Sequence, residues 1–246
     1  MKKFLTIIFL LTSISAAAQE DRIKDPNFIN WVQSINKISI NDKFSLHLEY
    51  QLRRTDGLTS PQQNLLRLGL NYHVHENITF HGGYAWVATY PYGDYPIASN
   101  GTFPEHRTYQ QFAIKQVVSK WSMQHRFRLE QRWLAKLAAN TADIEDWVFL
   151  NRFRYQFRLQ YPLKLSKKTS INLIAWDEIF IGSGKNLGTN IFDQNRLALQ
   201  IGWKITKNYQ IEFGYLNQIL QQGKRLEGKA VIQHNEGFVL SGFLNL

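Results

Sequence analysis

The chain contains no cysteine. An exported protein without one has no disulfide framework, so its stability must come from a large core or from a closed sheet. Lipid attachment at a lipoprotein site is excluded on the same ground. Long apolar runs are missing as well: beyond the first residues, no stretch approaches the roughly 20 apolar residues that a spanning helix needs, and the mean hydropathy is -0.33. That average does not exclude crossing by strands, because inward and outward residues alternate along a barrel strand and the apolar band disappears in the mean. A glycine-rich phosphate loop, a cysteine pair, a zinc-protease motif and a nucleophile elbow are also absent, so nucleotide chemistry is not indicated.

What is present begins with an export signal. Lys2 and Lys3 supply the positive start, Phe4 to Ile14 the apolar stretch, and Ala16, Ala17 and Ala18 a small-residue cleavage site. Residues 1–18 are therefore expected to be a cleaved signal peptide, and residues 19–246 one domain. The chain carries 29 Lys+Arg against 19 Asp+Glu. Removing Lys2 and Lys3 leaves 27 against 19, a mature charge of +8. A basic balance of this kind often marks a nucleic-acid partner, but export argues against one.

The mature sequence repeats one pattern: about ten residues of alternating character, a short polar turn, then about ten more. Clear turns lie at Asn41 to Lys43, Glu76-Asn77, Ser119-Lys120, Lys164 to Lys168 and Lys207-Asn208. Longer links rich in Gly, Pro, Asn and Asp alternate with them, at 56–62, 92–106, 138–146, 182–193 and 223–229. Short turns at one end and long loops at the other are the asymmetry of an outer-membrane barrel. Eleven segments are strand-like: 28–40, 44–55, 64–75, 78–91, 107–119, 121–136, 147–163, 169–181, 195–206, 209–221 and 231–246. Single-chain bacterial barrels normally have an even number of strands, so the expected fold is an all-β, antiparallel up-and-down transmembrane barrel of about twelve strands, with ten as the alternative.

Period-two alternation assigns two faces. Gln124, Arg126, Arg128, Glu130 and Arg132 alternate with Met123, His125, Phe127, Leu129, Gln131 and Trp133. Arg152, Arg154, Gln156, Arg158 and Gln160 alternate with Phe153, Tyr155, Phe157, Leu159 and Tyr161. His47, Glu49, Gln51 and Arg53 oppose Leu46, Leu48, Tyr50 and Leu52. Alternation alone does not say which face is outside. A soluble lipocalin-like barrel would hide the aromatic face, but the strands are long and numerous for that closure, and Trp86, Trp121, Trp133, Trp147, Tyr161 and Trp203 sit near strand ends, as interface girdles do. The final segment, Gly237 to Leu246, runs as a strand to the last residue, although members of the outer-membrane class typically end in an aromatic residue.

The hairpins, together with Tyr50-Gln51-Leu52-Arg53, His125 to Trp133, Asp177-Glu178-Ile179-Phe180 and Gly214-Tyr215-Leu216-Asn217-Gln218, resemble the barrel family catalogued as domain of unknown function 2490. The resemblance covers nearly all of the mature chain. It implies a barrel of outer-membrane type in a Gram-negative cell and supplies no activity.

The arginines carry the main functional question. Arg126, Arg128, Arg132, Arg152, Arg154 and Arg158 fall on one face of two consecutive strands, and with Arg53 they are expected to line the lumen, with Glu49, Glu130, Glu178 and Glu212 as partners. One reading is a lumen filled by arginine–glutamate pairs, since small barrels fill their interiors with side chains. The alternative is an anion-selective pore that accepts an acidic small solute, since rings of arginine select anions. A third reading is a lipid hydrolase, in which a histidine and a serine would act from the outer wall. His125 is the one histidine expected there, and Ser122 falls on the opposite face of the same strand, beyond the roughly 3 Å reach a nucleophile requires. His73, His75 and His81 surround one turn without an acidic ligand, so no metal is expected. No cofactor is expected. The expected partners are outer-membrane lipid and the barrel-assembly machinery.

Overall fold

The computed structural model describes residues 22–97, 101–139, 141–166, 170–187 and 190–246. The signal segment lies outside the described residues. Turn chemistry sets the hairpins. At Asn41, Oδ1 accepts from the backbone N–H of Lys43 and of Phe44, both at 2.9 Å, and Thr206 Oγ1 accepts from Asn208 N at 3.2 Å and Tyr209 N at 3.0 Å. Side chains of this type hold the chain in a turn two or three residues wide.

The strands are β1 (Arg22–Ser39), β2 (Phe44–Thr55), β3 (Ser60–His75), β4 (Ile78–Thr89), β5 (Phe103–Val118), β6 (Trp121–Leu137), β7 (Ile144–Lys164), β8 (Ser170–Ser183), β9 (Phe192–Lys204), β10 (Tyr209–Leu226) and β11 (Lys229–Asn245). Each pairs antiparallel with the next, and β1 then pairs with β11 to close the barrel. That last pair is parallel, in continuous register from Arg22 opposite Ala230 to Lys37 opposite Asn245. Parity explains the difference from twelve. An even count is required only when the seam is antiparallel; here β1 starts at the loop end, six residues earlier than its alternation suggests, and runs alongside β11. The link at 223–229 is likewise shorter than its composition suggests, because β10 continues to Leu226 and turns on Glu227 and Gly228, whose φ values are 51° and 78°, the left-handed pair of a tight hairpin turn.

The seam demands glycine at one point. A Cβ at Gly237 would collide with the backbone carbonyl of Ile29 on the facing strand. Pairing persists to the end of the chain, where Leu246 N donates to Lys37 O at 2.8 Å and Leu246 O accepts from Ser39 N at 2.7 Å.

A row of cross-strand partners that leaves Ser39 on β1 passes through Asn71, Arg128, Phe180 and Gln233 and returns to Asp25, fourteen residues from its start (39 less 25). A stagger of that size tilts the strands about 40–45° from the barrel axis. The two faces then separate sharply: Ala198 is 0% exposed, whereas Leu199 beside it is 55% exposed. With the tilt taken out, at roughly 1.3 residues per strand, Asn30, Asn64, Gln131, Asn195, Asn217 and Glu236 fall on the outer wall at one level, about nine residues above the turn end. Below that ring the outer wall is built mainly from Leu, Ile, Val, Phe, Tyr and Trp, interrupted by Ser34, Asn36, Gln110, His125 and Asp177. Its polar exceptions find neighbours: His125 Nδ1 lies 2.8 Å from Tyr155 Oη, Gln110 and Gln131 exchange amide hydrogen bonds at 3.2 Å, and Asn195 donates to Asp177 at 3.0 Å.

Candidate functional site

The interior is the candidate site, and two strands set its pattern. Cross-strand pairing puts Arg128 opposite Arg154 and Glu130 opposite Arg152. Two like charges directly opposite are unfavourable, and each arginine relieves the clash by leaning towards an acceptor elsewhere. Arg154 donates to Glu130 at 2.6 Å and to Glu178 at 2.7 Å. Arg152 donates to Glu130 at 2.6 Å and to Asp193 at 2.7 Å. Arg126 donates to Glu178 at 2.8 Å. A chain of charge-assisted bonds therefore runs Asp193, Arg152, Glu130, Arg154, Glu178, Arg126 across β6 to β9, of the short and strong kind expected when both partners are ionised.

Three smaller units join this chain. Towards the loop end, Glu105 accepts from Arg107 and from Arg132, both at 2.5 Å. On β2 and β3, Arg67 forms an ion pair with Glu49, which also sits 3.0 Å from His47 Nε2. Towards the turn end, Arg158 donates to Glu212 at 2.5 Å. That pair joins β7 to β10, two strands that are not neighbours, so it bridges the lumen.

Aromatic rings separate the crowded guanidiniums. Arg152, Arg154 and Arg196 stand 5.2, 4.3 and 4.6 Å from the Phe180 ring centre. Arg53 and Arg196 stand 3.8 and 4.8 Å from that of Trp31, and Arg67 and Arg128 lie over Tyr109. A ring face attracts a cation and gains strength when water is excluded. Arg53 and Arg128 find amide acceptors, at Gln51 and Gln111, both at 2.6 Å.

The interior thus brings Glu49, Arg53, Arg126, Arg128, Glu130, Arg132, Arg152, Arg154, Arg158 and Glu178 between its walls. Sequence reasoning did not single out Arg67, Glu105, Arg107, Arg196 or Asp193. Arg67 is a lone charge on β3 and Arg196 has no second inward charge beside it on β9, while Glu105 and Arg107 form a short inward pair on β5 whose meeting with Arg132 only strand register shows. Asp193 has the phase of an outward residue. A bulge, where Phe180 pairs with Gln194 but Ile181 with Phe192, turns its carboxylate inward. Trp31, Tyr109 and Phe180 are inward aromatics that the girdle pattern does not anticipate.

The histidines are dispersed into separate contacts. His73 sits 3.0 Å from Ser45 Oγ and 3.2 Å from Thr79 Oγ1, and His81 sits 2.9 Å from Tyr109 Oη. Among the described residues, no group of three His, Cys, Asp or Glu could hold a metal ion.

Two cavities flank the charged layer, one of about 270 Å³ towards the loop end and one of about 250 Å³ towards the turn end. The loop-end mouth is crossed by the β4–β5 link. Tyr92 Oη donates to Gln233 Oε1 at 2.8 Å and accepts from Asn235 Nδ2 at 3.2 Å, and Asp94 N donates to Asp25 Oδ1 at 3.2 Å. Burial holds the Tyr92 phenol above its ordinary pKa, so it stays a neutral donor. Gly93, between the two, has a φ of 76° and no room for a Cβ against the Asp25 carboxylate.

Residues 28–228 match the family described as Protein of unknown function (DUF2490). The chain belongs to that family. The match spans β1 from Phe28 to the turn before β11. An uncharacterized protein of Methylorubrum extorquens is 26% identical over 226 residues, covering 88% of each chain. The similarity therefore includes the strands that carry the charged interior.

Proposed function

We propose that the mature chain is an outer-membrane barrel whose interior is closed, a structural and ligand-holding element rather than an open diffusion pore. The observation that carries this reading is the continuous Asp193-to-Arg126 network, which, with the lumen-crossing Arg158–Glu212 pair and the Tyr92 link over the loop-end mouth, leaves cavities in place of a channel. Membrane placement is supported by the outer wall. Its apolar belt, about nine tilted residues tall, corresponds to about 20 Å, close to the roughly 25 Å band of outer-membrane barrels. Asn30, Asn64, Gln131, Asn195, Asn217 and Glu236 would then stand at the headgroups. A closed barrel leaves no strand edge to lipid, which is the condition for crossing with strands.

The test is reconstitution of the mature protein into planar bilayers, alongside membrane fractionation. The protein is expected in the outer-membrane fraction, with gel migration that changes on boiling, and without steady conductance. A stable anion-selective current weakened by Arg154→Gln would replace the closed reading with the pore. Recovery as a soluble monomer would end the membrane reading.

A further inference from the structure

The interior charges do not balance. Ten arginines, at 53, 67, 107, 126, 128, 132, 152, 154, 158 and 196, face seven carboxylates, Asp25, Glu49, Glu105, Glu130, Glu178, Asp193 and Glu212. The surplus is localised. Among the described residues, no carboxylate oxygen lies within 4.0 Å of Arg53 or Arg196. Both are buried, at 6% and 9% exposure. Both lie over the Trp31 ring, and both line the loop-end and the turn-end cavity.

Burying one uncompensated charge costs several kcal/mol; two held against one ring need a counter-charge. We infer that Arg53 and Arg196, across Trp31, form a binding site for a compact dianion that presents carboxylate or phosphate oxygens. A second observation points into the same space. Arg67 is 5% exposed, its Nε has no hydrogen-bond partner, and it lines the turn-end cavity. Access comes from the turn end. There Arg126 and Arg158 keep 22% and 18% of their side chains exposed, while Tyr92 and Asp94 cover the other mouth. At about 250 Å³ the cavity is below the roughly 300–1,000 Å³ of drug-sized pockets, which restricts the ligand to something of the size of phosphate or a four-carbon dicarboxylate. The inference rests on interior geometry and is independent of the membrane reading.

The experiment is calorimetric titration of the full mature barrel in zwitterionic detergent with inorganic phosphate and, separately, with succinate, at constant ionic strength set by chloride. Saturable binding of one molecule per barrel is expected for at least one probe, and which probe binds identifies the acidic group preferred. The double variant Arg53→Gln, Arg196→Gln should weaken it at least tenfold, while Lys207→Gln, at the exposed turn, should leave it unchanged. If the double variant does not fold, the unmodified protein still decides: its unfolding temperature should rise with the binding probe and not with chloride. No saturable heat and no stabilisation by either probe, or equal affinity in a folded double variant, would overturn the site.

Discussion

The barrel interior has two unlike walls. From β5 to β8 it is held by arginine and glutamate; from β9 through β11 to β1 it is held mainly by Ala198, Leu216, Val239, Ile29 and Trp31, packed as one apolar cluster with Trp176 against it, and by uncharged amides such as Gln194, Gln218, Gln233 and Asn235, with Asp25, Asp193, Arg196 and Glu212 as its few charged members. The charged wall fixes strand positions through directional bonds that span two or three strands. The other wall includes the seam, where backbones must approach closely, and there small and apolar side chains suit the space. The seam's one buried carboxylate, Asp25, is met there by amide and backbone donors, from Gln233 Nε2 and Asp94 N, in place of an arginine.

Substitutions can break that comparison in order of size. Glu130→Gln should be the most damaging, because Arg152 and Arg154 lose their shared negative charge and one of them faces an NH2 group where it had a carboxylate oxygen; removal of the charged partner from a buried pair costs about 3–5 kcal/mol. Thermal unfolding in detergent, followed by circular dichroism, would measure it, and an effect below that of a surface substitution would show the network to be solvated. Leu216→Ala, fully buried in the apolar cluster, should follow at about 2–4 kcal/mol, a cavity cost without loss of charge pairing. Gly237→Ala should come next, at about 1–3 kcal/mol from overpacking at the seam, and should speed unfolding through separation of β1 from β11, visible as faster loss of the unboiled gel form. Glu145→Gln removes the negative charge of the exposed Lys136 pair at the rim and should leave the unfolding temperature unchanged. A shift there as large as that of Glu130→Gln would abolish the distinction between buried and exposed pairs.

The two walls were also unequally legible in the sequence. On β6 and β7, polar and apolar residues alternate for ten positions or more, so the division into faces follows from period two alone. The hairpin turns were equally visible, because Asn41 and Thr206 carry their turn chemistry in their own side chains. Glu49, Glu130, Glu178 and Glu212 were legible as the acceptors, but which arginine meets which was not, and Glu105 and Asp193 were missed as partners. Glu105 with Arg132, or Glu212 with Arg158, depends on register and on curvature across the lumen, neither of which is local. The seam wall gave less still: Ile29, Trp31 and Val239 are apolar residues on an inward face, which breaks the polar-inside pattern that identified the other strands. Asp193 was hidden for a third reason, since a single extra residue in a strand inverts the phase that alternation reads.

The parallel seam has a practical consequence for anyone handling the molecule. Because β1 enters at the loop rim and β11 leaves at the turn rim, an epitope inserted ahead of Arg22 and another attached after Leu246 would stand at opposite ends of the barrel. In a barrel of even strand number both would report the same side. If the barrel spans the outer membrane as proposed, one doubly tagged molecule is its own orientation standard, and antibody access to intact cells would read its sidedness without a second protein for reference.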